Sequence, residues 1–141
     1  GGTAKNTVPE HASAGLDLRF PTQAASDALW RSLHDAAHAH GVDGAKVEVT
    51  RGPGRAPMEK QPGTAELVAR YAAAARAHGL SGDEAPRQGG GSDGNTAASL
   101  GIPTIDALGP RGRFFHTKDE YIEVDTLVSR AAALADFLKG S

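Results

Sequence analysis

The residue best equipped for metal chemistry is His116, which follows Phe114-Phe115 and precedes Thr117-Lys118-Asp119-Glu120. An imidazole with carboxylates close by suits a metal ligand whose second nitrogen is held by an outer acceptor. The same pattern also suits a histidine with a purely structural role. A second candidate is the run Gly89-Gly90-Gly91-Ser92-Asp93-Gly94. Glycines let backbone N–H groups converge on a ligand, while Ser92 and Asp93 are good N-cap types that would order the loop. The alternative is a flexible surface linker. The run has neither the lysine of a P-loop nor a strand–GxGxxG–helix unit, so phosphate binding is a weak reading. Arg19 is a third candidate: a guanidinium fits a carboxylate in bidentate geometry, or it can simply pair with nearby Asp17. Asn6 is silent by itself. His34 and His38 have the i, i+4 spacing that can bind zinc, but they lack the intervening glutamate of HExxH and sit in an alanine-rich stretch.

Elements of both kinds must position these residues. From His11 to Phe20 the chain alternates, with Ala12, Ala14, Leu16, Leu18 and Phe20 on one face and Asp17 and Arg19 on the other. Period two predicts a strand with one buried face, ended by Pro21-Thr22. A helical stripe of Leu29, Trp30, Leu33 and Ala37 predicts a helix over 26–40, closed by Gly41. Residues 45–51 alternate again through Val47 and Val49, as a short strand does. Residues 52–63, with Pro53, Pro57 and Pro62 among glycines, mark a boundary or crossing segment. Beyond it the pattern predicts a helix over 64–78, a polar loop reaching Asn95, a short helix over 96–100 and a buried strand over 102–105. A loop over 109–119 then carries His116. The final predicted helix spans 126–138, capped by Asp125, with Leu127, Val128, Ala131, Leu134 and Leu138 as its stripe.

Composition removes whole classes of function. The 141 residues carry 15 Lys and Arg against 17 Asp and Glu, a net charge of −2, so no basic excess points to nucleic acid. There is no cysteine, which excludes disulfide scaffolds, thiolate zinc sites and cysteine nucleophiles. No apolar run approaches the roughly 20 residues of a membrane span. The chain opens Gly1-Gly2-Thr3, without a start methionine or signal peptide, and this raises the expectation that it begins inside something larger.

Four stretches together resemble the zinc-dependent glutamate carboxypeptidase and aminoacylase family, which includes succinyl-diaminopimelate desuccinylases and tripeptidase-type enzymes. They are residues 1–10 (GGTAKNTVPE), 14–21 (AGLDLRFP), 89–95 (GGGSDGN) and 115–125 (FHTKDEYIEVD), in the family's order and spacing. The resemblance implies an α/β fold class, an α+β lid plus an α/β catalytic part. Residues 1–57 would be the second half of a ferredoxin-like lid that also mediates homodimerisation. Residues 58–141 would be the C-terminal part of an aminopeptidase-like zinc-hydrolase sandwich.

Carried over residue by residue, His116 matches the family's C-terminal zinc-ligand histidine. Asn6 and Arg19 match lid residues that hold the substrate's carboxylate. Gly90, Gly91 and Ser92 match the turn lining the substrate pocket, with Ser92 placed to meet an amide or carboxylate, and Arg55 is a looser match that reaches the same pocket from the hinge. The family's His-x-Asp motif, bridging aspartate, general-base glutamate and oxyanion-stabilising lid histidine are not among these residues. Two zinc ions activate water in the complete enzyme, and at most one of their ligands is present here. The expectation is therefore a part of a zinc metallopeptidase or amidohydrolase that cleaves a peptide or N-acyl amide bond next to a free carboxylate, and that is inactive alone. Its partners would be a small peptide or N-acyl amino acid, a second copy through the lid, and a missing N-terminal part of the same enzyme, with no nucleic acid or membrane. Unpaired strand edges lead to an expectation of self-association, and a lone His116 to one of weak zinc binding. The alternative is a non-catalytic dimerisation or interaction module derived from the same family.

Overall fold

The computed structural model describes residues 1–140. Its elements in chain order are helices α1 (Gln23–His38), α2 (Thr64–Ala77) and α3 (Asp93–Ser99), strands β1 (Gly112–Arg113) and β2 (Tyr121–Ile122), and helix α4 (Val124–Lys139). This is a small mixed α/β arrangement. None of the described helices is long and apolar enough to cross a membrane.

The helices follow the apolar periodicity closely, and their ends follow local chemistry. Thr22 accepts a hydrogen bond from the Ala25 N–H and so starts α1 three residues before the expected position. Ser92 does the same for α3. Helix α4 begins two residues early, with Glu123 rather than Asp125 at its N-cap position; Asp125 lies in the first turn, where its charge complements the helix dipole.

The expected strands over 11–20, 45–51 and 102–105 are not formed. Among the described residues the one ladder is the antiparallel β1–β2 pair, whose first strand falls in the predicted 109–119 loop and whose second lies just beyond it. Alternation selects a face, but a strand also needs a neighbour to receive its backbone hydrogen bonds. Without that neighbour, Leu16, Leu18 and Val47 stay exposed, as do Val124, Leu127, Val128 and Leu138 on α4. Gly112 is required in the hairpin, because a Cβ there would run into the Tyr121 carbonyl oxygen.

The core lies between α2 and α4. Ala75 and Ala133 are fully buried and let the helices approach, while Tyr71 packs between them with Leu80, Ile105, Leu108 and Phe137 around it. Tyr71 and Phe137 meet edge to face at 5.9 Å, a geometry worth about 0.5–1.5 kcal/mol beyond the area buried. At the rim of this interface His78 Nε2, just past the end of α2, lies 2.7 Å from Asp136 Oδ2 on α4. That hydrogen bond, supported by Lys139, holds the Asp136 carboxyl below its ordinary value of 3.8. A lowered folded-state pKa means that the stability is complete above the unfolded value and is lost as pH falls through the folded one. The urea midpoint is therefore expected to decline with acidification below about pH 4, and less steeply in Asp136→Asn than in the wild type. Equal slopes for the two proteins would show that the pair has no part in acid stability.

Candidate functional site

The chain's strongest convergence of polar groups is at the glycine loop. Arg19 crosses 70 residues of sequence to donate from Nη1 to the Gly89 carbonyl at 2.8 Å, while its Nη2 lies 3.0 Å from Asp17 Oδ2. Two of its five N–H groups are thus engaged, and the remainder of the fork is available to a ligand. Arg55 reaches the same loop from the proline-rich segment and pairs with Asp93 Oδ1 at 2.9 Å. Both arginines come close to the glycine backbone. A Cβ at Gly89 would stand 2.7 Å from the Arg19 Nη1, and one at Gly91 would stand 3.3 Å from Arg55 Cδ. Gly90 has open space around it.

The loop is an ordered structure and not a linker. Ser92 Oγ accepts from the Gly94 N–H at 3.1 Å, and Asn95 Oδ1 accepts from the Ser92 N–H at 2.9 Å, which closes a capping box. Asn95 Nδ2 also donates to the Ala56 carbonyl at 2.8 Å, tying the residue next to Arg55 to α3. The Ser92 hydroxyl donates in turn to Asp106 Oδ2, and Asp106 Oδ1 accepts from the Ala107 N–H at 2.7 Å. Ala107 has φ 60°, a left-handed conformation that this local bond helps to hold. The site therefore holds two guanidinium groups, each beside an aspartate, around a half-buried serine. A cavity of about 250 Å³ lies on neighbouring elements, lined by Ala56, Pro57, Glu59, Ala98 and Ser99 among others, and by none of these site residues.

The sequence points to Arg19, Arg55, Gly90, Gly91 and Ser92, and the fold brings these together. Among the described residues, no hydrogen bond or ion pair joins Asn6 or His116 to them. Asn6 is exposed in the N-terminal segment. His116 sits in the β1–β2 loop with φ 65°, its backbone N–H donating to Glu120 Oε2 at 3.0 Å. Asp106 and Asn95 are site residues that sequence reasoning misses. Asn95 carries one signal, its position three residues after Ser92, where a capping box puts its reciprocal partner. Asp106 carries none, since its link to Ser92 spans a helix and a loop.

The donor set does not assemble a zinc site. No three His, Asp or Glu side chains are grouped to hold a metal among the described residues. The His34 and His38 rings meet at a tilt of 37° with centroids 4.2 Å apart, and His38 Nδ1 is bonded to the His34 carbonyl. One imidazole at His116 does not fit a zinc pair, which takes about three protein ligands per catalytic ion.

Comparison with known proteins gives the family of the sequence. The chain is 29% identical over 130 residues to carboxypeptidase G2 of Pseudomonas sp. (strain RS-16), covering 92% of this chain and 31% of that protein. It is 32% identical over 125 residues to a succinyl-diaminopimelate desuccinylase of Delftia acidovorans, covering 88% of this chain and 31% of the relative. A second succinyl-diaminopimelate desuccinylase, from Variovorax paradoxus, is 31% identical over 121 residues, covering 86% of this chain and 29% of the relative. The chain thus spans about three tenths of the length of the curated relatives it matches. No solved structure matches it. The profile of Peptidase family M20/M25/M40 matches residues 3–140, nearly the whole sequence, and the chain belongs to that family of hydrolases.

Proposed function

We propose that this chain supplies the carboxylate-holding part of a metallopeptidase or amidohydrolase that cleaves a peptide or N-acyl amide bond beside a free carboxylate. The observation that carries the reading is the Arg19 guanidinium on the Gly89 carbonyl, which sets a cationic fork against the loop shared with Arg55 and Ser92. Arginine offers the planar pair of donors that a carboxylate accepts, and Arg19 keeps part of its fork for that purpose. Holding the substrate at its charged end fixes the amide relative to the reacting groups, a contribution of several kcal/mol where the geometry is rigid.

In this reading residues 1–57 belong to a lid and dimerisation domain, and 58–141 to a catalytic domain. Asn6 shares the carboxylate with Arg19, and His116 is one zinc ligand whose companions lie outside these 141 residues. Alone, the chain is an incomplete hydrolase that pairs with the rest of its enzyme and with a second copy through the lid.

The test compares N-acetylglutamate with its α-carboxamide as substrates for the intact natural polypeptide, and for the 141-residue chain alone. The expected result is hydrolysis of the free acid only, by the intact polypeptide only. Equal hydrolysis of both compounds would remove the carboxylate from the proposal. Absence of hydrolysis by the intact polypeptide, together with retained self-association, would favour a non-catalytic interaction module.

A further inference from the structure

We propose that Asp106 decides what Ser92 can recognise: it holds the hydroxyl proton, so Ser92 meets a substrate only as an acceptor and reads an N–H donor rather than a carboxylate. This rests on the reading of the glycine loop as a substrate site. A serine hydroxyl has one proton and two acceptor positions, and an ionised aspartate only accepts. The Ser92 proton is therefore directed at Asp106 Oδ2, and one acceptor position is filled by the Gly94 N–H. A single acceptor position remains for a ligand.

The carboxylate of Asp106 is itself held in place by the Ala107 N–H, so the hydroxyl keeps its direction. Its negative charge beside Ser92 further disfavours an anionic group there, while Arg19 and Arg55 approach the loop at Gly89 and Gly91. The two ends of an N-acyl amino acid then have separate partners: its carboxylate goes to the arginines and its amide N–H to Ser92. Asp106 is thus a positioning residue that acts through Ser92. Secondary amides are the substrate class it favours over N-methylated ones.

The test uses glutarate, a dicarboxylate without an N–H, as the binding probe for the full chain. Asp106→Asn removes the charge, and its amide donates to Ser92 Oγ, freeing the serine proton for a carboxylate. Glutarate is expected to bind Asp106→Asn about five- to tenfold more tightly than wild type. Adding Ser92→Ala to that variant is expected to abolish the gain, and Asp106→Glu to return affinity to the wild-type range. A gain that survives in the double variant would mean that charge removal alone acts, and would overturn the proposal. So would the absence of any gain, or of binding to every variant. Binding that is unchanged in Arg19→Ala would defeat the carboxylate clamp while leaving the Asp106–Ser92 comparison readable.

Discussion

Arg19→Ala is expected to lower kcat/KM of the intact enzyme by roughly 30- to 1,000-fold, or about 2–4 kcal/mol, the scale of a lost charge-assisted contact with the partner left unpaired. The structure gives Arg19 two partners with different consequences. Its bond to Asp17 joins two exposed side chains, 65% and 77% accessible, and exposed pairs of this kind are worth about 0–1 kcal/mol. Stability is therefore expected to change little. Its bond to the Gly89 carbonyl lies at the loop, where its loss would release the loop as well as remove the clamp. Arg19→Lys should recover only part of the activity, because an ammonium cannot reproduce the paired contact. Asp17→Ala serves as the control, since it removes the ion pair and leaves the guanidinium. Steady-state kinetics and urea denaturation on the same three proteins separate the roles. Normal kcat/KM in Arg19→Ala would end the clamp hypothesis, and a fall in stability shared by Arg19→Ala and Asp17→Ala would leave Arg19 a structural role only.

How far the sequence can be read depends on the range of the interactions involved. The stripe of Leu127, Val128, Ala131, Leu134 and Leu138 locates α4 to within two residues at its start and one at its end, because a helix satisfies its own backbone. The alternation around Leu16 and Leu18 locates no strand, because a ladder is formed with another segment and period two says nothing about which. The site divides in the same way. Ser92 is legible as a cap from its neighbours, whereas Asp106 depends on a contact 14 residues away and Arg19 on one 70 residues away. The resemblance to a family supplies Arg19, Arg55 and Ser92 as companions before any geometry does. It includes Asn95 at the end of the 89–95 stretch but assigns it no role, because that role comes from a bond to the Ala56 backbone.

Asn95 is where the second large effect is expected, and on stability rather than on rate. Asn95→Ala removes the capping-box bond to the Ser92 N–H and the bond to the Ala56 carbonyl. Ser92 keeps its own bond to the Gly94 N–H, so the helix retains its N-cap. Leaving the part-buried Ala56 carbonyl and Ser92 N–H without these partners costs about 1–3 kcal/mol. Asn95→Asp separates the two contributions. Its carboxylate still accepts from the Ser92 N–H and faces the positive end of α3, but it sets an oxygen against the Ala56 carbonyl and a second charge near Asp93. The cap contribution should therefore return and the tether should not, leaving the urea midpoint of Asn95→Asp between those of Asn95→Ala and wild type. Because Ala56 follows Arg55, untethering it should also loosen the Arg55–Asp93 pair, so both variants should raise KM more than they lower kcat. Asn95→Asp as stable as wild type would show that the Ala56 bond contributes nothing, and α3 would then be held to the proline-rich segment by the Arg55–Asp93 pair and packing.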